Sequence, residues 1–359
     1  MLKRYPAETL KPGDIVVTND PWMGTGHLFD ITLMRPVFRN GRIVAYTISI
    51  THLPDIGGNG FGSSATEVYQ EGLRLPICKL YEEGRPNELL IDIIRTNVRV
   101  PEQTMGDIMA NVSCNEVGGR EINAFMDEYG LDDLIPLSRA IRGQSEAAMR
   151  AKIAELKDGT YRNRIKLEGF EGPVEFAVRV DIAGNGASFD FDGTSGCVRA
   201  GVNVPFCYTN AMALHALKSL TLPSIPNNAG SIAPIKVSAP PGCILHALPP
   251  YPTGGRHAMG HFVTPLIYGA LAEAIPSQVQ ADSGMMNLIT FQGLRRDDRP
   301  CSTLYFAAGG YGALDGMDGS PATPGPSNMI GTPDEIWEND TGTTNLRKAI
   351  LPDTGGPGA

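Results

Sequence analysis

The sequence of 359 residues has no long apolar run, no paired cysteines and no excess of positive charge. No stretch approaches the roughly 20 apolar residues that a membrane-spanning helix needs. The net charge of −9 argues against a nucleic-acid-binding protein, because neutralising phosphates requires a basic surface. The N-terminal residues lack the apolar core of a secretory signal. We therefore predict a globular cytoplasmic protein that binds neither membranes nor nucleic acids.

Cysteine and glycine motifs that mark known sites are also missing. The six cysteines are scattered and none forms a Cys-x-x-Cys pair. This excludes zinc ribbons and thioredoxin-like sites and predicts reduced thiols. The sequence also lacks a Gly-x-x-x-x-Gly-Lys-Ser/Thr motif, the loop that holds nucleotide phosphates in P-loop enzymes. A P-loop nucleotide site is therefore not expected in this chain.

Histidine is rare, but two of the six histidines share one context. His27 and His52 each precede a carboxylate by three positions, in His27-Leu-Phe-Asp30 and His52-Leu-Pro-Asp55. Imidazole with a nearby carboxylate is the ligand chemistry of a hydrolytic metal centre, where the carboxylate binds the ion or orients the histidine. A single His-x-x-Asp is more often a hydrogen-bonded structural pair, so the pattern alone leaves both roles open.

A predicted β-hairpin separates the two histidines. Residues 32–50 contain two apolar, strand-like runs around Asn40-Gly41, a pair that adopts the positive φ angles of a tight turn. His27 precedes the first strand and His52 follows the second. Because the open ends of a hairpin lie side by side, both histidines are able to share one site.

The remaining sequence predicts an α+β protein. Apolar residues follow helical spacing over residues 102–157 and alternate with a period of two from Thr160. We expect a β-rich mixed fold with antiparallel hairpins and a helical segment, in two lobes. The change of period near Lys157 divides a hairpin and helical region, 1–157, from a β-rich region with helices, 158–359. Further predicted elements are strands at 162–167, 174–182 and 187–191, helices at 211–222 and 262–274, a hairpin of 288–292 with 302–307, and an irregular tail from Pro321.

The segments around both histidines, with four later ones, resemble a known family. Thr18-Asn-Asp-Pro-Trp-Met-Gly-Thr-Gly-His-Leu-Phe-Asp-Ile31 and Thr51-His-Leu-Pro-Asp-Ile-Gly-Gly58 are similar to two signatures of the hydantoinase B/oxoprolinase family. The resemblance runs from about Pro12 to the end of the chain. The later matching segments are 65–76 with 79–81, 97–99 with 106–107, 189–195 and 225–235.

The resemblance implies a subunit of an ATP-dependent cyclic-amide hydrolase. A partner of the hydantoinase A type would bind ATP and phosphorylate the substrate carbonyl. The present chain would then open the ring of a hydantoin, 5-oxoproline or a related lactam. The assembly is expected to be a hetero-oligomer, in which ATP is bound by the partner and not by this chain.

The resemblance also assigns roles to the histidine-carboxylate units. His27 and His52 are the expected ligands of a divalent metal ion such as Zn, Mn or Fe, which would activate water. The carboxylate of each unit would bind the ion or orient its histidine. The general base is left open among four carboxylates. These are Asp30, Asp55, Glu67 and Glu71.

The sequence departs from the family pattern at several points. The family's Gly-Gly-Thr-His is Gly24-Thr-Gly-His27 here, and Leu53 replaces the second histidine of a His-His pair. Family members extend further at both ends, so the chain resembles a truncated member whose third metal ligand lies upstream of Met1. Two alternatives stay open: a subunit of an acetone-carboxylase-like ketone carboxylase, and an inactive fragment that retains only partner binding.

Two further groups of polar residues have both a functional and a structural interpretation. Arg95, Asn97 and Arg99 can bind a substrate carboxylate, or they can be solvated or ion-paired. His257 and His261 are spaced to share one helical face, but the surrounding glycines and prolines disfavour a metal site there.

Overall fold

The structure is a computed structural model and describes residues 1–282, 287–295, 297–307, 310–321 and 333–349. Within these residues it contains three β-sheets, with helices packed against them. The strands are β1 Ile15–Thr18, β2 Asp30–Arg39, β3 Arg42–His52, β4 Cys78–Glu82, β5 Arg85–Pro86, β6 Gly159–Leu167, β7 Val174–Ala183, β8 Gly186–Asp190, β9 Ile235–Ser238, β10 Asn287–Leu294 and β11 Pro300–Ala307. The helices are α1 Glu88–Asn97, α2 Pro101–Glu128, α3 Ile135–Ile153, α4 Phe206–Thr221, α5 Ala229–Ile232, α6 His257–Gly260, α7 Val263–Leu271 and α8 Asp334–Thr341.

The first sheet is antiparallel and has the strand order β3-β2-β1-β4-β5. The predicted hairpin forms its β2–β3 edge. Asn40 and Gly41 make the turn with φ angles of 49° and 74°, as the Asn-Gly pair predicts. The strands extend beyond the predicted limits, so that Asp30 and His52 are paired in register at the open end.

The helical region packs on this hairpin. Helix α2 lies across β3, where the Asn115 side chain donates to Ser49 Oγ at 2.8 Å and Thr47 Oγ1 donates to the Asn115 carbonyl at 3.0 Å. The helical prediction for residues 102–157 is confirmed, with a break between α2 and α3. The helix α1 that precedes it was not predicted from the sequence.

The second half of the chain is built on a four-stranded sheet of order β6-β7-β8-β9. Its first three strands are antiparallel, as predicted, and β9 is added parallel to β8. Helices α4 and α7 contribute Leu217 and Ile267 to the core of this half, which also includes Met149 and Ile153 at the end of α3. The mixed fold with antiparallel hairpins is therefore confirmed. Strand β6 begins at Gly159, close to the predicted boundary at Lys157. The division of the chain into two regions there stays a prediction.

The prediction of an irregular tail from Pro321 is partly wrong. Residues 334–341 form helix α8 instead of irregular chain. Pro333 precedes the helix, two acidic residues occupy its first turn, and Trp337 packs edge-on against Phe291 at a ring distance of 4.9 Å. Burial of this one aromatic ring stabilises the helix, which the polar composition of the segment does not predict. Residues 322–332 and 350–359 of the predicted tail lie outside the described residues. None of the described helices has the length and apolar character needed to cross a bilayer.

Candidate metal centre

Three side chains meet at the open end of the β2–β3 hairpin. Asp30 begins β2 and His52 ends β3, while His27 lies in the loop that leads into β2. Asp30 Oδ1 lies 2.8 Å from His27 Nε2 and 3.2 Å from His52 Nδ1. One donor atom from each residue lies within 4.8 Å of the others. We call these three residues the His–Asp–His cluster.

The donor set of the cluster fits a divalent metal ion. Nitrogen and carboxylate oxygen ligands lie about 2.0–2.2 Å from a zinc ion, which places tetrahedral ligands about 3.4 Å apart. The observed separations of 2.8 and 3.2 Å around Asp30 Oδ1 are close to that value. Two imidazoles and one carboxylate are the protein ligands of several catalytic zinc sites. Asp30 thus supplies a third donor within the chain, whereas the sequence led us to expect the third ligand upstream of Met1.

Two phenylalanines fix the orientation of the histidine rings. Phe29 stacks on His52 with ring centroids 5.4 Å apart and 16° between the planes. Phe61 presents its ring edge-on to His52 at 5.1 Å and to His27 at 5.3 Å. His27 and Phe29 are buried. The imidazoles are therefore held by packing as well as by Asp30.

A buried arginine from the second half of the chain completes the surroundings of the cluster. Arg256 Nε donates to the Thr25 carbonyl at 2.7 Å, and its Nη2 lies 3.4 Å from Asp30 Oδ2. The guanidinium group lies over the Tyr208 ring at 4.9 Å. Gly26 makes this approach possible, because a Cβ atom there would lie 2.7 Å from Arg256 Cδ. The sequence analysis did not identify Arg256 as a site residue. The only local feature that could have indicated such a role is its position after Gly254 and Gly255.

Burial and charge set the protonation of the cluster. Burial alone would raise the pKa of Asp30, but hydrogen bonds from His27 and His52 and the charge of Arg256 lower it below its ordinary value. Burial, followed by the charge of Arg256, lowers the pKa of His27 to about 3. Asp30 is therefore ionised and His27 neutral at neutral pH. These are the protonation states in which both groups bind metal ions.

The structure does not bring Asp55 into the cluster. Asp55 is fully buried and accepts hydrogen bonds from the Gly57 N–H at 3.1 Å and from Arg99 Nη1 at 2.7 Å. The backbone N–H of Arg99 donates to its second carboxylate oxygen. Asp55 thus anchors the loop after β3 to the segment between α1 and α2. Arg99 has the ion-paired role that the sequence left open.

The two glutamates that were candidates for the general base lie in opposite environments. Glu67 is exposed at the start of a short 3₁₀ turn. Glu71 is buried, and its Oε1 accepts from the N–H groups of Thr253 and Gly254 at 2.7 and 2.6 Å. Its Oε2 is buried without a hydrogen-bond partner. Burial raises the pKa of Glu71 to about 7, although the two N–H groups and the nearby Arg256 oppose the change.

His257 lies near the cluster, and His261 contacts a different residue. The His257 ring stacks on Phe61 at 5.1 Å with 12° between the planes. Burial, then the charge of Arg256, lowers the pKa of His257 to about 4. His261 Nε2 instead lies 3.5 Å from Asp282 Oδ1. Among the described residues, the only group of three or more metal-binding side chains is the His–Asp–His cluster.

Comparison with known proteins places the whole chain in one family. A family model described as "Hydantoinase B/oxoprolinase" matches residues 1–359. Caprolactamase subunit beta of Pseudomonas jessenii is 27% identical over 379 residues, which cover 98% of this chain and 63% of the relative. A 5-oxoprolinase of Dictyostelium discoideum is 27% identical over 345 residues, which cover 92% of this chain and 26% of the relative. The chain thus spans less than two thirds of either relative.

Solved structures show the same fold. The ATP-dependent caprolactamase from Pseudomonas jessenii matches with a TM-score of 0.81 and 27% identity, over 89% of this chain and 57% of that chain. A nucleotide-free acetone carboxylase matches with a TM-score of 0.82 over 94% of this chain and 48% of that chain. Its identity of 17% shows likeness of fold alone. The family match over every residue, with the motifs around both histidines, shows that this chain belongs to the hydantoinase B/oxoprolinase family.

Proposed function

We propose that this chain is the metal-dependent hydrolytic part of an ATP-dependent cyclic-amide hydrolase. The observation that carries the proposal is the His–Asp–His cluster, whose three donor atoms lie within 4.8 Å of one another in a chain of this family. The names of the relatives support the substrate class, since caprolactamase and 5-oxoprolinase both act on cyclic amides. The acetone carboxylase match concerns the fold and does not bear on the substrate.

The roles of the residues follow from the geometry of the cluster. His27, Asp30 and His52 would hold the ion, with Zn, Mn or Fe as candidates. When bound by these residues, a divalent ion would supply Lewis acidity to a neighbouring carbonyl or water. Arg256 lies 3.4 Å from Asp30 Oδ2 and keeps that carboxylate ionised and in place. Phe61 packs edge-on against both imidazoles and would help to hold their orientation toward the ion.

The chain is proposed to act in a complex. The matching caprolactamase is called ATP-dependent, and its matching chain is called a beta subunit. No P-loop motif occurs in the present sequence. We therefore assign ATP binding and carbonyl activation to a partner of the hydantoinase A type. Ring opening is assigned to the chain that carries the cluster.

The test combines metal analysis with turnover by the complex of the chain and its ATP-binding partner. The wild-type complex is expected to hold about one divalent ion per chain and to hydrolyse a lactam or hydantoin only with ATP. His27→Ala and His52→Ala are each expected to lose the ion and turnover. The matched control is His215→Ala, because His215 is exposed on α4, away from the cluster. Full turnover with His27→Ala and His52→Ala would disprove the assignment.

A further inference from the structure

We propose that Asp107 is a specificity-determining residue, whose carboxylate accepts a hydrogen bond from the ring N–H of the cyclic amide. It would thereby restrict ring opening to amides that carry a hydrogen on the ring nitrogen. The inference rests on the proposed function, because it concerns the substrate of the same site. It is carried by the position of Asp107 on helix α2, by the pocket that Asp107 lines together with His52, and by its unpaired carboxylate.

One face of helix α2 follows strand β3 toward the His–Asp–His cluster. The Asn115 side chain donates to Ser49 Oγ at 2.8 Å, and the Asn111 side chain donates to Thr51 Oγ1. A step of four helical residues, about 6 Å, therefore matches two strand residues, about 6.6 Å. The next residue on this face of the helix is Asp107, and the same step places it just beyond the end of β3. Asp107 thus lies at the end of the hairpin that carries the cluster.

Asp107 and His52 line the same pocket, which has a volume of about 440 Å³. The β10–β11 hairpin forms another wall of the pocket and is tied to the loop after β3, because Ser302 Oγ donates to the Pro54 carbonyl at 2.9 Å. Phe61 contributes apolar surface to the lining. A volume of this size accommodates a small ring. A ring bound here would lie beside one histidine of the proposed metal centre.

The carboxylate of Asp107 is available to accept a hydrogen bond from a ligand. Among the described residues, it has no ion pair and no side-chain hydrogen bond. The Asn111 side chain donates to the backbone carbonyl of Asp107 at 3.2 Å and not to its carboxylate. A second carboxylate in the described lining, that of Asp340, instead lies 3.7 Å from Arg295. Asp107 is exposed, so a bound ring can replace the water around its carboxylate.

A carboxylate beside a metal centre matches the two polar atoms of a cyclic amide. The amide of a small ring is cis, so its carbonyl oxygen and its N–H lie on the same side of the ring. Asp107 would accept from the N–H, while the oxygen would lie toward the ion proposed at His52. Phosphorylation of that oxygen withdraws electron density from the ring nitrogen, which makes the N–H a stronger donor to a carboxylate. The same contact therefore suits the ring before and after activation.

The main experiment compares the N–H and N-methyl forms of one ring in the complex of the chain and its ATP-binding partner. The ring is whichever of 2-pyrrolidone, caprolactam and 5-oxoproline the wild type opens fastest with ATP. We expect the wild type to prefer the N–H form by about 100-fold or more in kcat/KM, because a site that binds a donor rejects the analogue without it. Asp107→Ala is expected to reduce this preference below about tenfold. Loss of both activities by the same factor would overturn the inference.

A conservative variant separates hydrogen bonding from a structural role. The amide oxygen in Asp107→Asn still accepts from the N–H, so opening of the N–H ring is expected to fall about threefold to tenfold, against about 10-fold to 100-fold in Asp107→Ala. Asp92→Ala is the matched control with unchanged turnover, because Asp92 is exposed on α1 and does not line the pocket. Each variant is expected to keep its metal content, measured by elemental analysis. Equal losses in Asp107→Asn and Asp107→Ala, or loss of metal from either, would overturn the inference.

The wild-type complex tests the proposed function separately. A wild type that opens no cyclic amide with ATP would disprove the proposed function and the inference that rests on it. An active wild type with an equally active Asp107→Ala variant would overturn the role of Asp107 alone. If no complex opens the N-methyl ring, the comparison of Asp107→Asn with Asp107→Ala on the N–H ring decides.

Discussion

The two His-x-x-Asp units are alike in sequence and differ in structure. In the first unit the aspartate begins strand β2 and the histidine lies in the preceding loop; in the second the histidine ends strand β3 and the aspartate lies in the following loop. Asp30 and His52 are therefore register partners across the hairpin, and His27 folds back onto them. Asp55, beyond the strand, instead binds Arg99. The strand positions of Asp30 and His52 fix both side chains at the hairpin end, whereas the folding of each loop brings His27 to the cluster and leaves Asp55 outside it.

The same contrast holds for Glu67 and Glu71. They are four residues apart, but a 3₁₀ turn between them leaves the first exposed and turns the second into the protein. There it binds the N–H groups of Thr253 and Gly254 in the second half of the chain. Position along the chain therefore does not show which of the two glutamates is buried and bound by N–H groups; the fold decides that.

The largest expected difference between the two units concerns metal binding. Asp30→Ala is expected to weaken divalent metal binding by about 100-fold or more, because it removes one of the three proposed ligands and the acceptor that orients both histidines. Asp55→Ala is expected to leave metal affinity within about threefold, because Asp55 contacts Gly57 and Arg99 rather than the cluster. Metal affinity of the complex is measured by competition with a chelator. Loss of the metal in Asp55→Ala alone would reverse the comparison.

The second expected difference concerns stability. Asp55→Ala is expected to lower the free energy of unfolding by about 4 kcal/mol, because it leaves the buried Gly57 N–H, the partly buried Arg99 N–H and part of the Arg99 guanidinium without an acceptor. Chemical denaturation monitored by circular dichroism measures this. Glu102→Ala removes the partner of Arg95 in an exposed ion pair and is the matched control, with an expected loss below about 1 kcal/mol. Equal losses in both variants would contradict a structural role for Asp55.

The third expected difference is the pH dependence contributed by Glu71. Its folded-state pKa of about 7 lies above the ordinary value of 4.5, so the folded state binds the proton more tightly. Its contribution to stability is complete below pH 4.5 and is lost as the pH rises to 7. The glutamine of Glu71→Gln resembles the protonated glutamate and does not titrate. Between pH 4.5 and pH 7 the variant is therefore expected to lose about 3 kcal/mol less of its free energy of unfolding than the wild type.

Unfolding free energies measured from pH 4 to pH 8 test the Glu71 prediction. Glu67→Gln is the matched control and is expected to follow the wild type within about 0.5 kcal/mol, because Glu67 is exposed. A wild type and a Glu71→Gln variant with parallel pH profiles would show that Glu71 has an ordinary pKa in the folded chain.

The sequence by itself determined much of the local structure and the family. Apolar alternation and Asn40-Gly41 specify the hairpin, because the turn angles and the strand period are local properties. Helical spacing specifies α2 and α3 for the same reason. The rare histidines and their carboxylates predict a metal centre, which stays a proposal. The hairpin also explains why His27 and His52 meet despite their separation along the chain.

Only the tertiary structure decided which polar groups act together. Arg256 reaches Asp30 from a distant segment because Gly26 leaves room for its side chain. Glu71 acquires its raised pKa from burial against the second half of the chain. Asp30 and Asp55 are equivalent in spacing, and the register of β2 with β3 places the first in the cluster and leaves the second outside it. These outcomes depend on long-range packing and desolvation, which residue spacing does not encode.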